Sequence, residues 1–250
     1  MTTTPPLEGR RALVTGASGG IGGAIAVALA EAGADVVLTW SGHREDAEHA
    51  ADRVRALGRA ATTRQCDLSE RGAGRALVEA VTADVGLLDV LVANAGVGRR
   101  VAWDEVDDEL WEETLAVNLT ASWQLARAAL PGMVQRGFGR VLFVSSVAAF
   151  NGGVVGPHYA ASKAALHGLM HHLAPRVAAS GVTVTALAPA LITGTRILPV
   201  DPDDPDAMPM PVPVGSLGRP EDVARMATAM VTNPYLTDKV VILDGGLYPA

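Results

Sequence analysis

Seven short apolar runs, most of them followed by a helix-like stretch, recur along the whole chain and limit what it can fold into. The runs are RALVT (11–15), ADVVLTW (34–40), AATTRQCDL (60–68), LLDVLVANAG (87–96), GRVLFVSS (139–146), GVTVTALAP (181–189) and KVVILDGG (239–246). Alternating strands and helices pair into a parallel sheet with right-handed crossovers. We therefore expect one doubly wound α/β domain of about seven parallel strands, spanning residues 1–250.

One segment interrupts this alternation. Residues 199–215 are rich in proline and aspartate and contain no lysine or arginine. Such a composition is typical of a disordered surface loop. Because the segment follows the sixth strand, at the carboxyl edge where parallel sheets bind ligands, a substrate lid over residues 190–216 is the favoured interpretation.

The charge balance excludes several classes of partner. A net charge of −7 and an isoelectric point near 5.3 argue against nucleic acid or an anionic membrane as partner, because both need a basic face. The sequence lacks the apolar run of about 18 residues that a membrane span needs, and its start lacks a signal peptide's apolar run. Cys66 is the single cysteine, so no intrachain disulfide is possible, and we expect a cytoplasmic protein.

Histidines and the cysteine give no sign of a metal site. No cluster of His, Cys and acidic residues has metal-ligand spacing, so we expect no metal. Cys66 ends the third apolar run and is interpreted as a small buried apolar residue. His171 and His172 are adjacent, fall on different faces of a helix, and are expected at the surface.

The first strand turns into the first helix through the sequence VTGASGGIGG. Gly16, Gly20 and Gly22 allow a sharp turn and a close approach to phosphate, and Ser18 and Ile21 lie in the same turn. The following helix offers free N–H groups and the positive end of its dipole. Ordinary tight turns also use glycine, but a place in a strand–helix–strand unit favours a dinucleotide site.

The end of the second strand indicates which nicotinamide cofactor is used. NAD sites commonly place an acid here to hold the ribose 2′-hydroxyl. This chain has Trp40 and Ser41 instead, and no acid until Glu45. Arg44 is either a partner for a 2′-phosphate or an exposed residue at a helix start. The pattern predicts that NADP(H) is preferred over NAD(H).

Polar residues also end the third and fourth strands. Asp67, followed by Leu68, is placed to accept a hydrogen bond from an adenine amino group or to cap the next helix beside Ser69, and the two roles are compatible. Asn94 in the run ANAG is expected to tie neighbouring strands together rather than to catalyse.

Tyr159 and Lys163 lie four residues apart in PHYAASKAAL and therefore share one helix face. A free phenol has a pKa of about 10, and a neighbouring ammonium favours the phenolate and lowers that pKa. Ser146, at the end of the fifth strand, is placed to bond a substrate carbonyl oxygen. Asn118, a polar residue in an apolar helix, is suited to hold a backbone group or a water. Each has a structural explanation alone; together they predict an acid–base site.

These motifs together resemble the short-chain dehydrogenase/reductase superfamily, in particular its 3-oxoacyl-[acyl-carrier-protein] reductases and polyketide ketoreductases. The matching residues are TGASGGIG (15–22), CDL (66–68), NAG (94–96), Asn118, Ser146 and YAASK (159–163). The resemblance implies a single-domain Rossmann fold and an NAD(P)-dependent oxidoreductase acting on CH–OH or ketone groups.

The resemblance also implies a role for each catalytic residue. Tyr159 is the general acid in carbonyl reduction and the general base in alcohol oxidation, and Ser146 positions the substrate oxygen. Lys163 lowers the pKa of the tyrosine and binds the ribose, while Asn118 continues a proton relay to solvent. With the strand-end residues above, the predicted cofactor-binding set is Gly16, Ser18, Gly20, Ile21, Gly22, Trp40, Ser41, Arg44, Asp67, Leu68, Asn94, Ala95, Gly96, Tyr159, Lys163, Pro189 and Ile192.

Several positions depart from the pattern of these reductases. Arg99 matches the arginine of their Thr-Arg-Asp run, but Arg100 replaces the acid. Gly19 stands where many NADPH enzymes have an arginine, and Ala190 replaces the usual glycine after the proline that ends the sixth strand. Prolines in 199–215 replace a helix, so the substrate is the least constrained part of the prediction.

A 3-oxoacyl thioester, linked to acyl carrier protein or CoA, is the expected substrate, with a small free ketone, secondary alcohol or sugar as the alternative. Carrier proteins are acidic, so docking requires basic residues at the cleft. The candidates are Arg99, Arg100, Arg136 and Arg176. They are equally well interpreted as solvated surface charges, and the acidic segment 199–215 opposes docking.

Two other functions and an assembly state complete the expectations. A non-catalytic NADP-binding sensor or scaffold requires loss of a catalytic residue, and all four are present. A nucleotide-sugar epimerase or dehydratase usually has a longer chain. The resemblance implies a homotetramer that pairs helices in 107–136 and 156–180, with a dimer as the second choice.

Overall fold

Seven strands form the sheet of this protein, whose computed structural model describes residues 4–198 and 210–248. The strands are β1 (Arg11–Val14), β2 (Asp35–Trp40), β3 (Ala61–Gln65), β4 (Val90–Ala93), β5 (Gly139–Val144), β6 (Val182–Pro189) and β7 (Val240–Leu243). They are all parallel, in the order β3-β2-β1-β4-β5-β6-β7. The predicted doubly wound α/β fold is confirmed.

Helices cover both faces of the sheet. They are α1 (Gly20–Glu31), α2 (Arg44–Ala56), α3 (Ala73–Val85), α4 (Asp108–Leu115), α5 (Ala121–Arg136), α6 (Ala148–Asn151), α7 (Pro157–Val177) and α8 (Pro220–Thr232). One core cluster joins α1, α2 and α8 to one face, and a second joins α3, α5 and α7 to the other. Burial on both faces explains why the strand sequences are continuously apolar rather than alternating.

The apolar side of α7 belongs to the core of a single chain. Leu166, Met170 and Leu173 are buried in the second core cluster. The run ALHGLMHHLA is therefore explained by intramolecular packing and gives no support to a subunit interface. His171 and His172 are exposed, as predicted.

Two predicted helices differ in the structure. The helix expected over 70–85 begins at Ala73, because Gly72 before it adopts a left-handed conformation with φ of +84°. The continuous helix expected over 107–136 is interrupted by one π-helical turn, Ala116–Thr120, which joins α4 to α5. Such turns insert one extra residue and are frequent at functional sites.

Only part of the predicted lid over 190–216 can be described. Residues 199–209 lie outside the described ranges. On the described flanks there is no helix or regular strand, and Ile192 forms a single parallel bridge with Gly218. The identification of this segment as a lid stays a prediction.

Cys66 is half-buried rather than buried, just after β3. Burial is the main cause that raises the pKa of its thiol, and the carboxylate of Asp67 adds to it. Within the described ranges, no helix has both the length and the apolar character needed to cross a membrane. The same residues contain no group of three His, Cys or acidic side chains arranged to hold a metal ion.

The order of the strands locates the ligand site. The chain leaves β1 toward β2 and β3 on one side and toward β4 to β7 on the other. In open parallel sheets this reversal separates the crossover connections and opens a crevice at the carboxyl ends of the strands. The glycine-rich turn after β1 and the run ANAG after β4 meet at that crevice.

Candidate active site

A cleft of about 540 Å³ follows the carboxyl edge of the sheet. Its glycine-rich half consists of the turn over residues 16–22 and the ends of β2 and β3, residues 40–42 and 66–69. Its apolar half consists of Val97, Glu113, Val117, Val147, Ala148, Asn151, Gly153, Val154, Val155, Ile197, Leu198, Met210, Leu247 and Tyr248. Ser146, Tyr159 and Lys163 line the cleft between the two halves.

The glycines of the turn are required by close backbone packing. A Cβ on Gly22 would lie 2.4 Å from the carbonyl oxygen of Gly16 and 2.6 Å from the side-chain nitrogen of Asn94. A Cβ on Gly20 would lie 2.5 Å from the carbonyl oxygen of Gly194. Gly16 has a φ of +66°, which disfavours other residues. The turn therefore presents bare backbone to the cleft.

Asn94 holds this turn against the end of β4. Its side-chain nitrogen donates to the carbonyl oxygens of Thr15 (2.9 Å) and Gly16 (3.2 Å), and its backbone N–H donates to the Thr15 hydroxyl. The structure thus shows the tie between neighbouring strands that the sequence predicts.

The ends of β2 and β3 carry the polar residues of the glycine-rich half. Trp40 and Ser41 line the cleft, whereas Arg44 is exposed at the start of α2 and does not line it. Asp67 accepts hydrogen bonds from the Ser69 hydroxyl (2.7 Å) and backbone N–H (2.9 Å), and these bonds lower the pKa of its carboxyl group. Asp67 therefore caps the turn before α3, not α3 itself, whose N-cap is Gly72.

Tyr159 is buried at the centre of the cleft. Its ring packs against Gly98, where a Cβ would lie 2.9 Å from a ring carbon. Burial is the largest effect and raises the pKa of Tyr159, while a hydrogen bond with the Ser146 hydroxyl acts in the opposite direction. The pKa of Tyr159 therefore rises overall, because desolvation of the phenol outweighs that hydrogen bond, and no lowering by Lys163 is found.

Lys163 is buried below Tyr159. Its Nζ donates to the carbonyl oxygen of Val144 at 2.9 Å and lies 5.8 Å from the centre of the Tyr159 ring. Burial lowers the pKa of Lys163 to about 8. Gly96 leaves space above the ammonium, since a Cβ there would lie 3.1 Å from Nζ. Tyr159 and Lys163 share one face of α7, as the spacing predicts.

Asn118 lies in the π-helical turn, fully buried behind the cleft wall. Its side-chain oxygen accepts from the backbone N–H of Val97 at 2.8 Å, and its nitrogen donates to the carbonyl oxygen of Val97 at 3.0 Å. The nitrogen also donates to the Ser162 hydroxyl at 2.9 Å. Asn118 thus fixes the segment after β4 against α7. The sequence left open whether Asn118 holds a backbone group or a water, and the structure shows that it holds a backbone group.

The structure brings most of the predicted site together. Apart from Arg44, every predicted cofactor-binding residue lines the cleft, and of the four predicted catalytic residues only Asn118 lies behind it. Arg136 donates to the carbonyl oxygen of Leu88, before β4, at the opposite edge of the sheet. Arg176 lies near the end of α7, far along the helix from Tyr159. Neither arginine lines the cleft.

Sequence reasoning missed several residues of the site. The guanidinium of Arg196 donates to the carbonyl oxygen of Ser18 at 3.4 Å and lies 3.8 Å from the carboxylate of Asp46. It therefore covers the glycine-rich turn from a segment without any motif. Glu113 and Tyr248 reach the cleft from distant parts of the chain. Gly98, the second glycine of the run NAGVG, could have been used as a sequence signal for the close contact with Tyr159.

His158, next to Tyr159, is fully buried and does not line the cleft. Both of its ring nitrogens lie without a hydrogen-bond partner among the described residues. Burial lowers the pKa of His158, so the ring is neutral at physiological pH. No pattern in the sequence indicated that His158 would be buried at the start of α7.

The glycine-rich half has the properties of a dinucleotide cradle. The first turn of α1 lines the cleft and has neither a side-chain cap nor an acidic residue. Its first N–H groups and the helix dipole are therefore available to a pyrophosphate. The space at Gly20 and Gly22 that a Cβ would fill keeps that approach open. The residues present fit a nicotinamide dinucleotide.

Comparison with known proteins agrees with this geometry. The family described as short chain dehydrogenase matches residues 10–204. The chain is 37% identical over 244 residues to 2-dehydro-3-deoxy-D-gluconate 5-dehydrogenase of Pseudoalteromonas atlantica, covering 96% of each chain. It is 35% identical over 248 residues to 3-oxoacyl-[acyl-carrier-protein] reductase FabG of Vibrio cholerae, covering 97% of this chain and 98% of that one.

A solved structure shares the fold over nearly the whole length. The 3-oxoacyl (acyl-carrier-protein) reductase of Agrobacterium tumefaciens C58 with NADP bound superposes with a TM-score of 0.89 at 34% sequence identity. The match covers 96% of this chain and 95% of that one. The fold, the cleft and these relatives define an NAD(P)-dependent oxidoreductase. The chain belongs to the short-chain dehydrogenase/reductase family.

Proposed function

We propose that the protein is an NADPH-dependent reductase that converts a 3-oxoacyl thioester, carried on acyl carrier protein or on CoA, to the 3-hydroxyacyl product. One observation carries the proposal: Ser146 and Tyr159 lie where the glycine-rich half of the cleft meets the apolar half. A dinucleotide in the first half and an acyl group in the second meet at the tyrosine. The relation to 3-oxoacyl reductases supports the same substrate class.

The protein's own residues supply the proton and the orientation. When bound, NADPH supplies the hydride that forms the new C–H bond at the carbonyl carbon. The Ser146 hydroxyl orients the carbonyl oxygen, and the Tyr159 phenol donates its proton there, so that C=O becomes CH–OH. Because burial raises the pKa of Tyr159, the phenol is protonated at neutral pH, as a general acid must be.

Lys163 and Asn118 support this step from below. Lys163 is placed to hold the ribose hydroxyls and, when charged, to stabilise the phenolate left after proton donation. Asn118 holds the backbone of Val97 beside the site, where it continues the path by which Tyr159 recovers a proton.

The preference for NADPH rests on the end of β2. Trp40 and Ser41 line the cleft where NAD enzymes commonly place an acid, so no carboxylate there repels a 2′-phosphate. Arg44, exposed at the start of α2, is the nearby partner for that phosphate. The NADP-bound Agrobacterium reductase supports the same choice.

Acyl carrier protein is the proposed partner, and its docking site is the entrance beside the apolar half. Arg99 and Arg100 are exposed and follow Val97, which lines the cleft. These two cations can attract an acidic carrier without entering the pocket.

A homotetramer is the proposed assembly. Trp111 on α4 and Trp123 on α5 are exposed, with 37% and 38% of their surface accessible, although they are large apolar residues. Light scattering during gel filtration checks the mass: four times 25.7 kDa supports the tetramer, and a monomer contradicts it.

The experiment follows the loss of NADPH absorbance with acetoacetyl-N-acetylcysteamine, using wild type and Tyr159→Phe, with NADH in parallel. We expect turnover that requires Tyr159 and is faster with NADPH. Absence of turnover by a protein that still binds NADPH would contradict thioester reduction. Stoichiometric oxidation of NADPH would also exclude a non-catalytic sensor and a net-redox-neutral epimerase.

A second candidate is a dehydrogenase of a small free secondary alcohol, ketone or sugar. The 37% identity to a 2-dehydro-3-deoxy-D-gluconate 5-dehydrogenase favours it. Reduction of NADP⁺ or NAD⁺ in the presence of that sugar acid, without activity on the thioester, would establish this candidate instead.

A further inference from the structure

The apolar half of the cleft lacks a cation. Among the described residues, two basic side chains line the cleft, Lys163 and Arg196. Lys163 is buried below Tyr159 with its Nζ on the carbonyl oxygen of Val144. Arg196 lies over the glycine-rich turn, against Ser18 and Asp46. Lys163 is engaged with the backbone and Arg196 with the glycine-rich turn, so neither belongs to the apolar half.

Among the described residues, no further cation lines the cleft. Arg99 and Arg100 follow Val97 but do not line the cleft. Residues 199–209, which join Leu198 to Met210, contain four aspartates and no Lys, Arg or His. Residues 1–3 and 249–250 likewise contain none of these side chains.

Glu113 gives the apolar half a negative charge. It is exposed to solvent and lines the cleft from α4, one turn before Val117, while its neighbours in the wall are mostly Val, Leu, Ile and Met. Among the described residues its carboxylate has no hydrogen bond or ion pair. A carboxylate bound in this half would gain no cation and would meet the like charge of Glu113, whose repulsion solvent weakens but does not remove.

We propose that this site selects ketones whose substituents are uncharged within reach of the apolar half, and that Glu113 rejects substrates with a free carboxylate. The inference rests on the proposed function and deepens it. It separates this chain from a dehydrogenase of a sugar acid, since such a substrate carries a carboxylate on the same short carbon chain as the reacting carbon. In a carrier-linked thioester the charged groups lie on the carrier, far from the ketone, so such a substrate meets this requirement.

Two ketones of nearly equal size test the charge directly. Methyl acetoacetate is neutral and acetoacetate is an anion, and both present the same 3-oxo group. For wild type with NADPH we expect kcat/KM to be at least about 10-fold higher for the ester, equivalent to about 1.4 kcal/mol. Equal values, or a preference for acetoacetate, would overturn the proposal.

A pair of substitutions tests the residue. We expect Glu113→Lys to reduce the ratio of the two kcat/KM values, ester over acetoacetate, about 10-fold, mainly by a lower KM for acetoacetate. Glu112→Lys makes the same charge change at an exposed neighbour that does not line the cleft, and should leave the ratio unchanged. Equal shifts in both variants would show an effect of overall charge and contradict the role of Glu113.

Binding measurements keep this inference separate from the proposed function. Calorimetric titration of each ketone into NADPH-loaded Tyr159→Phe gives Kd without turnover. Tighter binding of the ester supports the charge rule even if no thioester is reduced. Tighter binding of acetoacetate, or no binding of either ketone, overturns it even if the thioester turns over.

Discussion

The two halves of the cleft are built from different parts of the protein. In the glycine-rich half the wall is largely backbone, and glycines at 16, 20 and 22 lie so close to neighbouring backbone atoms that no side chain fits. In the apolar half the wall consists of side chains such as Val117, Val154 and Met210, contributed by distant segments. Backbone recognises what all dinucleotides share, whereas side chains can be exchanged to select one substrate.

This difference explains what each half tolerates. A backbone cradle depends on tight packing against Asn94 and Gly194, so one added methyl group disturbs it. A wall of aliphatic side chains has few polar atoms to satisfy, and substitutions there change shape and charge without removing the catalytic residues. We therefore expect large effects from substitutions at Tyr159, at the junction of the two halves, and in the glycine-rich cradle. Substitutions at the periphery of the cleft should have small effects.

The junction should show the largest effect. Tyr159→Phe removes the proton donor and leaves the ring that packs on Gly98. We expect kcat for ketone reduction to fall about 1,000-fold, within the range of general acid catalysis. The Kd for NADPH, measured by fluorescence titration, should remain close to the wild-type value. A small loss of kcat would assign the proton to another group.

The cradle comes next. In Gly22→Ala the new methyl group overlaps the Gly16 carbonyl oxygen, at a cost of about 1–3 kcal/mol that should weaken NADPH binding roughly 10- to 100-fold. Gly19→Ala is the matched control, because its Cβ meets the same oxygen at 3.4 Å, an ordinary contact. Circular dichroism verifies that both variants fold. Similar NADPH affinities for the two would contradict a cradle set by close packing.

Lys163 has a smaller effect, on stability. Its pKa is lowered to about 8 in the folded protein, so at pH 7 the buried ammonium opposes folding. Allowing for the lost bond to Val144, we expect Lys163→Met to raise the free energy of unfolding at pH 7 by about 2 kcal/mol.

The pH dependence provides the check. Between pH 8 and the ordinary lysine pKa of 10.5, the unfolded chain binds more protons at this position than the folded protein. The wild type should therefore gain stability relative to Lys163→Met as the pH rises through that range. Urea unfolding of the cofactor-free proteins at several pH values measures the difference. A constant difference would show that the ammonium carries no penalty.

The cations around the cradle should give the smallest effect. Arg44→Ala is expected to weaken NADPH binding about 5- to 10-fold, near 1 kcal/mol, and to leave NADH unaffected, because Arg44 is assigned to the 2′-phosphate. Arg196→Ala should weaken both cofactors equally, since it lies over the turn at Ser18. If instead Arg196→Ala weakened only NADPH and Arg44→Ala weakened both cofactors, Arg196 would be the partner of the 2′-phosphate.

The glycine-rich half was predictable because its residues form local motifs. Gly16, Gly20 and Gly22 lie within one turn, and Tyr159 and Lys163 within one turn of α7, so sequence spacing determines their geometry. Asn94 and Ser146 were placed correctly because each follows a buried strand. Arg44 shows the limit of this reasoning, since a position near the end of β2 does not place the side chain in the cleft.

The apolar half could not be read from the sequence in the same way. Glu113, Met210 and Tyr248 line one cleft only because α4, the segment after β6 and the end of the chain all reach it. The π-helical turn at Asn118 depends on tertiary bonds to Val97 and Ser162, which no local pattern indicates. The net rise in the pKa of Tyr159 was not predicted, because burial depends on the whole fold.

Transfer of deuterium tests the central claim most directly. NADPH carrying deuterium at C4 of the nicotinamide, prepared separately with each stereochemistry, is incubated with acetoacetyl-N-acetylcysteamine, and the product is analysed by mass spectrometry. The account predicts one deuterium on the carbinol carbon from one of the two preparations, formed by wild type and nearly absent with Tyr159→Phe. Product without deuterium from either preparation, or equal labelling by the variant, would contradict hydride transfer assisted by Tyr159.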